Sequence, residues 1–244
     1  MEKRSSTWDS VLSNFRPIII AQGEVAYAYN LLQESFFSAF MFATAVERPP
    51  DRQHVEFYSH SLALWHVMQN DRQQRQLTIA ALESLPTKLD IKGGIERLDW
   101  AKKKADRLAD YRNLIVHTPL SYWPQSAVVG GYLQAKRLIM IPRFGGISTK
   151  PSNLTKLRQI KSVRFWKALR NDLLNLKDYV DFVVRQLWWR DYERRNGPVV
   201  GAHRAWPRKP RLPCVRRIDR LEGRQTKPRR SQSRRGRRRT SPGR

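Results

Sequence analysis

Residues 162–194 read SVRFWKALRNDLLNLKDYVDFVVRQLWWRDYER and carry the clearest structural pattern in the 244-residue chain. Apolar side chains recur there at intervals of three or four residues, with charged residues between them. This spacing places the apolar side chains on one face of an α-helix. The segment therefore predicts a long amphipathic helix, whose apolar face includes Phe165, Leu169, Leu173, Leu176, Val180, Val183 and Leu187.

Other segments upstream predict further helices of the same bundle. The first strong one is apolar nearly all round, as expected of a helix at the centre of a bundle, and a Pro-Pro pair follows it. The second has a polar run in its middle, 69–76, which predicts an exposed or kinked turn. The predicted elements are 24–47, 54–85 and 95–117, preceded by a short helix or entry segment, 6–20, that ends near Pro17.

The helical pattern is interrupted between residues 119 and 153. Glycine pairs at 130–131 and 145–146 flank an alternating apolar run at 138–141. Such a pattern predicts a small β-hairpin or a long ordered loop. The fold class predicted for the chain is all-α, a bundle of four to five helices with this one insertion.

Positive charge is concentrated at the C-terminal end. Residues 196–244 hold 17 of the 47 basic side chains and 2 of the 21 acidic ones, and six prolines are spread through them. Such a composition cannot bury enough apolar surface to offset the entropy lost on ordering. We therefore predict two regions, a helical domain over 1–195 and a disordered basic tail over 196–244.

The excess charge predicts a polyanionic partner, because a positive field attracts nucleic acid or an anionic surface. RNA is the expected partner, and DNA is possible. Dense arginines of this kind bind phosphates without reading sequence, and their affinity falls steeply as salt rises. The residues predicted to bind nucleic acid are Arg229, Arg230, Arg234, Arg235, Arg237, Arg238 and Arg239.

Several function classes are disfavoured by what the sequence lacks. Cys214 is the one cysteine, which excludes an internal disulfide and predicts a reducing compartment, the cytoplasm. No stretch of ~18 uncharged apolar residues is present, so we expect no membrane span. The histidines at 54, 60 and 66 are six residues apart, a spacing unsuited to binding one metal ion. With no phosphate-binding glycine loop or nucleophile elbow either, we expect no metal and no cofactor.

The end of the predicted helix 95–117 carries the candidate chemistry. On an ideal wheel, Asp110, Asn113 and His117 share a polar stripe with Asp106, whereas Arg112 falls inside the apolar arc. A guanidinium on a core-facing surface needs a partner there, because burying an unpaired charge is costly. That partner is either a carboxylate, with Glu34 and Glu24 as the candidates, or an incoming phosphate.

The pattern Arg112-Asn113-x-x-x-His117 near the end of a bundle helix resembles the Arg-x4–6-His signature of the HEPN family. The resemblance covers the bundle from about residue 24 to residue 187 and leaves the basic tail outside. It implies an α-helical bundle that forms a homodimer and brings two such motifs to a shared cleft. We also allow for an inhibitory partner protein.

Many domains of this family are metal-independent ribonucleases, so the resemblance implies three catalytic residues here. His117 would take the proton of an RNA 2′-hydroxyl, Arg112 would neutralise the phosphate, and Asn113 would orient substrate or ring. Glu34 and Asp110 are expected to support them. On a straight helix, however, Arg112 and His117 point about 140° apart. They can share a phosphate only if the helix ends between them, the arginine reaches across, or a second subunit supplies one.

Two other interpretations of the same residues are possible. A HEPN-like bundle could bind RNA or assemble with a partner without cleaving anything. An unrelated helical scaffold could carry a tail that is attracted to DNA or to a membrane surface. A structure in which Arg112 is buried against Glu34 and His117 points away to bulk water would weaken both HEPN-like interpretations and leave the unrelated scaffold.

Overall fold

The computed structural model describes residues 5–45, 54–85, 91–117, 120–121, 139–140, 163–198 and 205–226. These residues form six helices and one pair of two-residue strands, and the predicted all-α bundle is confirmed. None of the described helices combines the length and the apolar character needed to cross a bilayer. The elements are α1 (Ser5–Ala45), α2 (His54–Val67), α3 (Asp71–Glu83), α4 (Lys92–His117), β1 (Leu120–Ser121), β2 (Ile139–Met140), α5 (Val163–Asn196) and α6 (Pro213–Thr226).

The two longest helices, α1 and α5, run side by side in the same direction. Glu24 pairs with Arg170 at one end, with 2.8 Å between Oε2 and Nη1, and Phe42 packs edge-on against Trp188 at the other. Helix α4 runs antiparallel to α5, because its start contacts the end of α5 and its end contacts the start. Its contacts include Tyr111 with Phe165 and Trp100 with Tyr179. The core lies between these three helices.

Helices α2 and α3 cover the remaining side of α1. Trp65 of α2 packs its ring against Phe37 and Phe40. Helix α3 lies against both α1 and α4, with Ile79 and Leu82 buried. Because α3 packs against both helices, its buried Arg75 contacts Tyr29 of α1 and Asp106 of α4.

The N-terminal boundaries differ from the sequence prediction. The segment predicted to end near Pro17 continues without interruption into α1, with the proline inside the helix. Proline has a helix-compatible φ and removes one backbone hydrogen bond, and the buried residues that anchor the helix, from Ala21 onward, follow it. The predicted element 54–85 is two helices, because Asn70 accepts a hydrogen bond from the Gln73 N–H and starts α3 afresh.

The two strands pair antiparallel, with Leu120 opposite Met140 and Ser121 opposite Ile139. The alternating run at 138–141 predicted a small β-hairpin or a long ordered loop, and Ile139–Met140 form a strand within it. Most of the predicted hairpin or loop over 119–153 lies outside the described residues.

The prediction of a tail that begins at residue 196 is wrong for residues 205–226. This segment packs onto the bundle and ends in α6, with Leu212, Cys214, Val215 and Ile218 buried. Four buried apolar side chains on one face are enough to dock a short helix, even in a strongly basic segment. Residues 227–244, which include every arginine predicted to bind nucleic acid, lie outside the described residues.

Three contacts hold this C-terminal segment in place. The Trp206 indole lies over the start of α4, where a Cβ added to Gly93 or Gly94 would come within 2.6 or 2.7 Å of it. The Asp172 carboxylate, buried on α5, accepts a hydrogen bond of 3.0 Å from the Val215 N–H in the first turn of α6. The carboxylate of Asp219 reaches Arg107 of α4 at 3.0 Å. Helix α6 therefore spans from α5 to α4.

Candidate functional site

The predicted pair Arg112 and Asn113 lies in the last turns of α4 with its polar atoms together. The Arg112 Nη1 donates to the Asn113 Oδ1 at 2.8 Å. Arg112 is half-buried and Asn113 is exposed. The Nε of Arg112 is buried and has no hydrogen-bond partner in the part of the chain that the structure describes. Asn113 therefore holds one end of the guanidinium, while its Nε is shielded from solvent.

Arg112 rests on an aromatic ring instead of a carboxylate. Its guanidinium carbon lies 4.5 Å from the centroid of the Tyr29 ring, a cation–π contact. Tyr29 comes from α1 and is 1% exposed. Its ring is a fixed floor beneath the arginine.

The hydroxyl of Tyr29 is tied into a buried network. It accepts hydrogen bonds from the Gln33 Nε2 at 3.0 Å and from the Arg75 Nη1 at 2.9 Å. Burial raises the pKa of Tyr29, and Arg75 opposes that shift. The hydroxyl keeps its proton at neutral pH, so the network fixes the ring without charging it.

Arg75 is the residue that sequence reasoning missed. It lies in the polar run predicted to be an exposed or kinked turn, and it is fully buried. Its Nη2 and Nε bind the Asp106 Oδ1 at 2.7 and 3.1 Å. The signal was available, because Arg75 precedes Ile79 and Leu82 at helical spacing on one face of α3.

The carboxylates expected to pair with Arg112 are placed differently. Glu34 is exposed and forms no ion pair with Arg112 among the described residues. Glu24 pairs with Arg170 of α5. Asp110, the other predicted supporting residue, is exposed and lies 3.8 Å from Arg72 of α3. The structural Arg–Glu pair that the sequence left open is therefore not present between these residues.

His117 is the final residue of α4, and its side chain lies outside the described residues. The helix continues through positions 112–117, so it does not end between the arginine and the histidine. Gln22 of α1 fastens this end by donating from Nε2 to the carbonyls of Ile115 and Val116, at 2.9 and 3.2 Å. The last turn of α4 is thus a fixed element of the bundle.

The direction of the Arg112 side chain matters for its distance from His117. On an ideal helix, Asn113 and His117 lie only about 40° apart, as neighbours one turn from each other. Because the Arg112 guanidinium reaches sideways to Asn113, it leans toward the face on which His117 stands. Of the three ways to close the gap of about 140°, the reach of the arginine fits this geometry.

Trp188 and Trp189 lie at the far end of α5, where they are 42% and 40% exposed. Among the described residues, no three His, Cys, Asp or Glu side chains cluster as metal ligands would.

No family model, curated protein or solved structure matches the chain.

Proposed function

We propose that the protein is a metal-independent endoribonuclease that uses Arg112, Asn113 and His117 at the end of α4. The observation that carries the proposal is the placement of Arg112. Its guanidinium is oriented by Tyr29 and Asn113, and no carboxylate is paired with it among the described residues. A phosphate oxygen would complete this set of contacts.

The proposed reaction is transesterification followed by release of the 5′ end. His117, in its neutral form, takes the proton of the RNA 2′-hydroxyl, and the 2′-oxygen attacks the adjacent phosphorus. The bond to the 5′-oxygen breaks, that oxygen takes a proton from water, and the proton held by His117 neutralises the hydroxide that remains. The products are a 2′,3′-cyclic phosphate and a 5′-hydroxyl. Arg112 stabilises the charge that builds on the phosphate oxygens, with Asn113 holding the guanidinium in line.

A homodimer remains part of the proposal. Apolar side chains are exposed on α1 close to the end of α4, where Gln22 contacts the last carbonyls. Ile19, Ile20 and Tyr27 are 52%, 51% and 66% exposed, and large apolar side chains grouped on a surface favour a protein contact. A second copy on this face would lie beside the site. Light scattering of the purified chain measures the oligomeric state.

The decisive experiment is an RNA cleavage assay in excess EDTA, followed by analysis of the 3′ ends. The wild-type chain is expected to cut RNA and leave 2′,3′-cyclic phosphates. His117→Ala should lose the activity by about a hundredfold or more, the range for a removed acid–base group. His66→Ala, which changes an exposed histidine on α2, is the matched control and should cut normally.

The other outcomes separate the remaining hypotheses. If His117→Ala cuts as well as wild type, the activity does not come from this site and the proposal is wrong. If neither protein cuts but both bind RNA, the bundle is a binding domain without catalysis.

A further inference from the structure

We propose that the folded C-terminal segment, and not only the chain after it, is an RNA-binding surface that contacts the phosphate backbone. This inference rests on the RNA-binding part of the proposed function and is independent of cleavage. The surface consists of six exposed cations in the loop before α6 and on its outer face, and we call it the cationic platform. Its members are Arg208, Lys209, Arg211, Arg216, Arg217 and Arg220.

The platform is built on a rigid base. The apolar face of α6, with Val215 and Ile218, is buried against the bundle, which turns Arg216, Arg217 and Arg220 outward. Residues 216 and 220 are one helical turn apart and lie on the same side of the helix. Because Trp206, Asp172 and Asp219 fix the segment, these arginines are held on a folded surface and lose less conformational entropy on binding than arginines of an unfolded chain would.

The charges of the platform are not neutralised by acidic side chains of the residues that the structure describes. None of its six cations forms an ion pair with an acidic side chain in the described ranges. Asp219 of α6 is bound by Lys104 and Arg107 of α4 at 3.7 and 3.0 Å. Over residues 213–220, the outer face of α6 therefore presents a single sign of charge.

The composition of the surface favours nucleic acid over lipid. Basic amphipathic helices that bind membranes insert an apolar face, but the apolar face of α6 is already used against α5. The exposed positions between 205 and 220 carry only alanine, proline, lysine and arginine. Five of the six cations are arginines, whose planar fork matches two phosphate oxygens. The surface therefore suits RNA phosphates. It could attract a bilayer only through charge, because it has no exposed apolar face to insert.

The test measures binding of the full chain to a labelled single-stranded 2′-O-methyl RNA, which lacks the nucleophile and cannot be cleaved. Arg216→Gln/Arg217→Gln/Arg220→Gln is compared with Arg164→Gln/Lys167→Gln/Arg185→Gln. The control removes three exposed cations from α5 and so makes the same change in net charge. Thermal melting of both variants checks that they fold, as expected of changes at exposed positions.

We expect the platform variant to weaken RNA binding about tenfold. The slope of log affinity against log salt should become less steep by about 2, because each single-strand phosphate contact contributes about 0.7 to it. The control variant should weaken binding about threefold at most, through general electrostatics. Arg216→Lys/Arg217→Lys/Arg220→Lys should keep the salt slope, because it keeps the charge.

Three results would overturn the inference. The first is a platform variant that binds RNA like wild type, and the second is an equal loss in both glutamine variants. The third concerns vesicles that contain phosphatidylserine. If the platform variant loses vesicle binding while RNA binding stays unchanged, the surface serves a membrane.

Discussion

Arg75 and Arg112 both contact Tyr29, but their surroundings differ. Arg75 is fully buried, donates to the tyrosine hydroxyl and binds the carboxylate of Asp106. Arg112 is half-buried, lies over the tyrosine ring and has only Asn113 as a hydrogen-bond partner among the described residues. Arg75 therefore has a carboxylate partner inside the fold, whereas Arg112 has none among the described residues.

This difference distinguishes a charge that the fold pairs with a carboxylate from one that it orients without such a partner among the described residues. A buried arginine is tolerated when its hydrogen bonds are satisfied, and removing it then leaves its partners uncompensated. An arginine that the fold orients but does not neutralise can bind an anion without first breaking an ion pair. The Tyr29 network does both, because it satisfies Arg75 and provides the surface on which Arg112 rests.

The strongest test of the comparison is the stability of Arg75→Met beside Arg112→Met. We expect Arg75→Met to lower the free energy of unfolding by about 3–5 kcal/mol, because Asp106 and the Tyr29 hydroxyl lose a buried partner. Arg112→Met should change it by less than about 1 kcal/mol, as is usual for a side chain outside such a network. Urea denaturation measures both values, and equal losses would contradict the distinction between the two arginines.

Substitutions of Tyr29 separate its two contacts. Tyr29→Phe keeps the ring beneath Arg112 but removes the hydroxyl that Arg75 and Gln33 bind, so we expect a loss of about 1–3 kcal/mol in stability. RNA cleavage per folded molecule should be retained. Tyr29→Leu removes the ring as well and should also reduce the cleavage rate in single-turnover assays. If the phenylalanine variant loses cleavage as severely as the leucine variant, the hydroxyl positions Arg112, and the ring does not.

The buried carboxylate of Asp172 allows the same comparison for a negative charge, with a smaller expected change in stability. Burial raises the pKa of Asp172 to about 6, against the opposing hydrogen bonds from the backbone of Val215 and Cys214. Unfolded aspartate has a pKa of about 3.9, so the folded chain binds the extra proton between about pH 4 and pH 6. The stabilisation linked to this proton is complete below about pH 4 and is lost as the pH rises through about 6.

The measurement is urea denaturation of wild type and Asp172→Asn at pH 5 and at pH 7.5. The stability difference between the two proteins should shift by about 1 kcal/mol in favour of wild type at the lower pH. Asp178→Asn, on the exposed face of the same helix, controls for the loss of one negative charge. A difference that stays constant with pH would show that the Asp172 carboxylate does not take up the proton.

The long helices could be predicted from sequence because their cores repeat with helical spacing. Helix α5, observed at Val163–Asn196, matches the predicted 162–194 almost residue for residue. The predicted helix boundaries were wrong where a proline or a basic composition was given more weight than the helical spacing of apolar residues. Pro17 suggested an end that packing overrides, and the basic composition after residue 196 hid the apolar face of α6.

The candidate site was only partly predictable for a related reason. The position of Arg112 in an apolar arc correctly indicated a need for a partner, but Glu34 is exposed and an aromatic ring from α1 takes that place. Helical spacing gives the face on which a residue lies and not the neighbour it meets. The same spacing would have revealed Arg75, had the polar run at 69–76 not been interpreted as an exposed or kinked turn throughout.

The indole of Trp206 over Gly93 and Gly94 has a practical meaning for anyone who shortens the chain. A fragment that stops at residue 196 would uncover those glycines and the apolar strip beneath α6, and we expect it to aggregate at lower concentrations. A fragment that stops after Thr226 keeps the strip covered and removes nine basic side chains. Truncation after residue 226 therefore removes positive charge without removing α6, whereas truncation after residue 196 removes a helix that packs on the bundle.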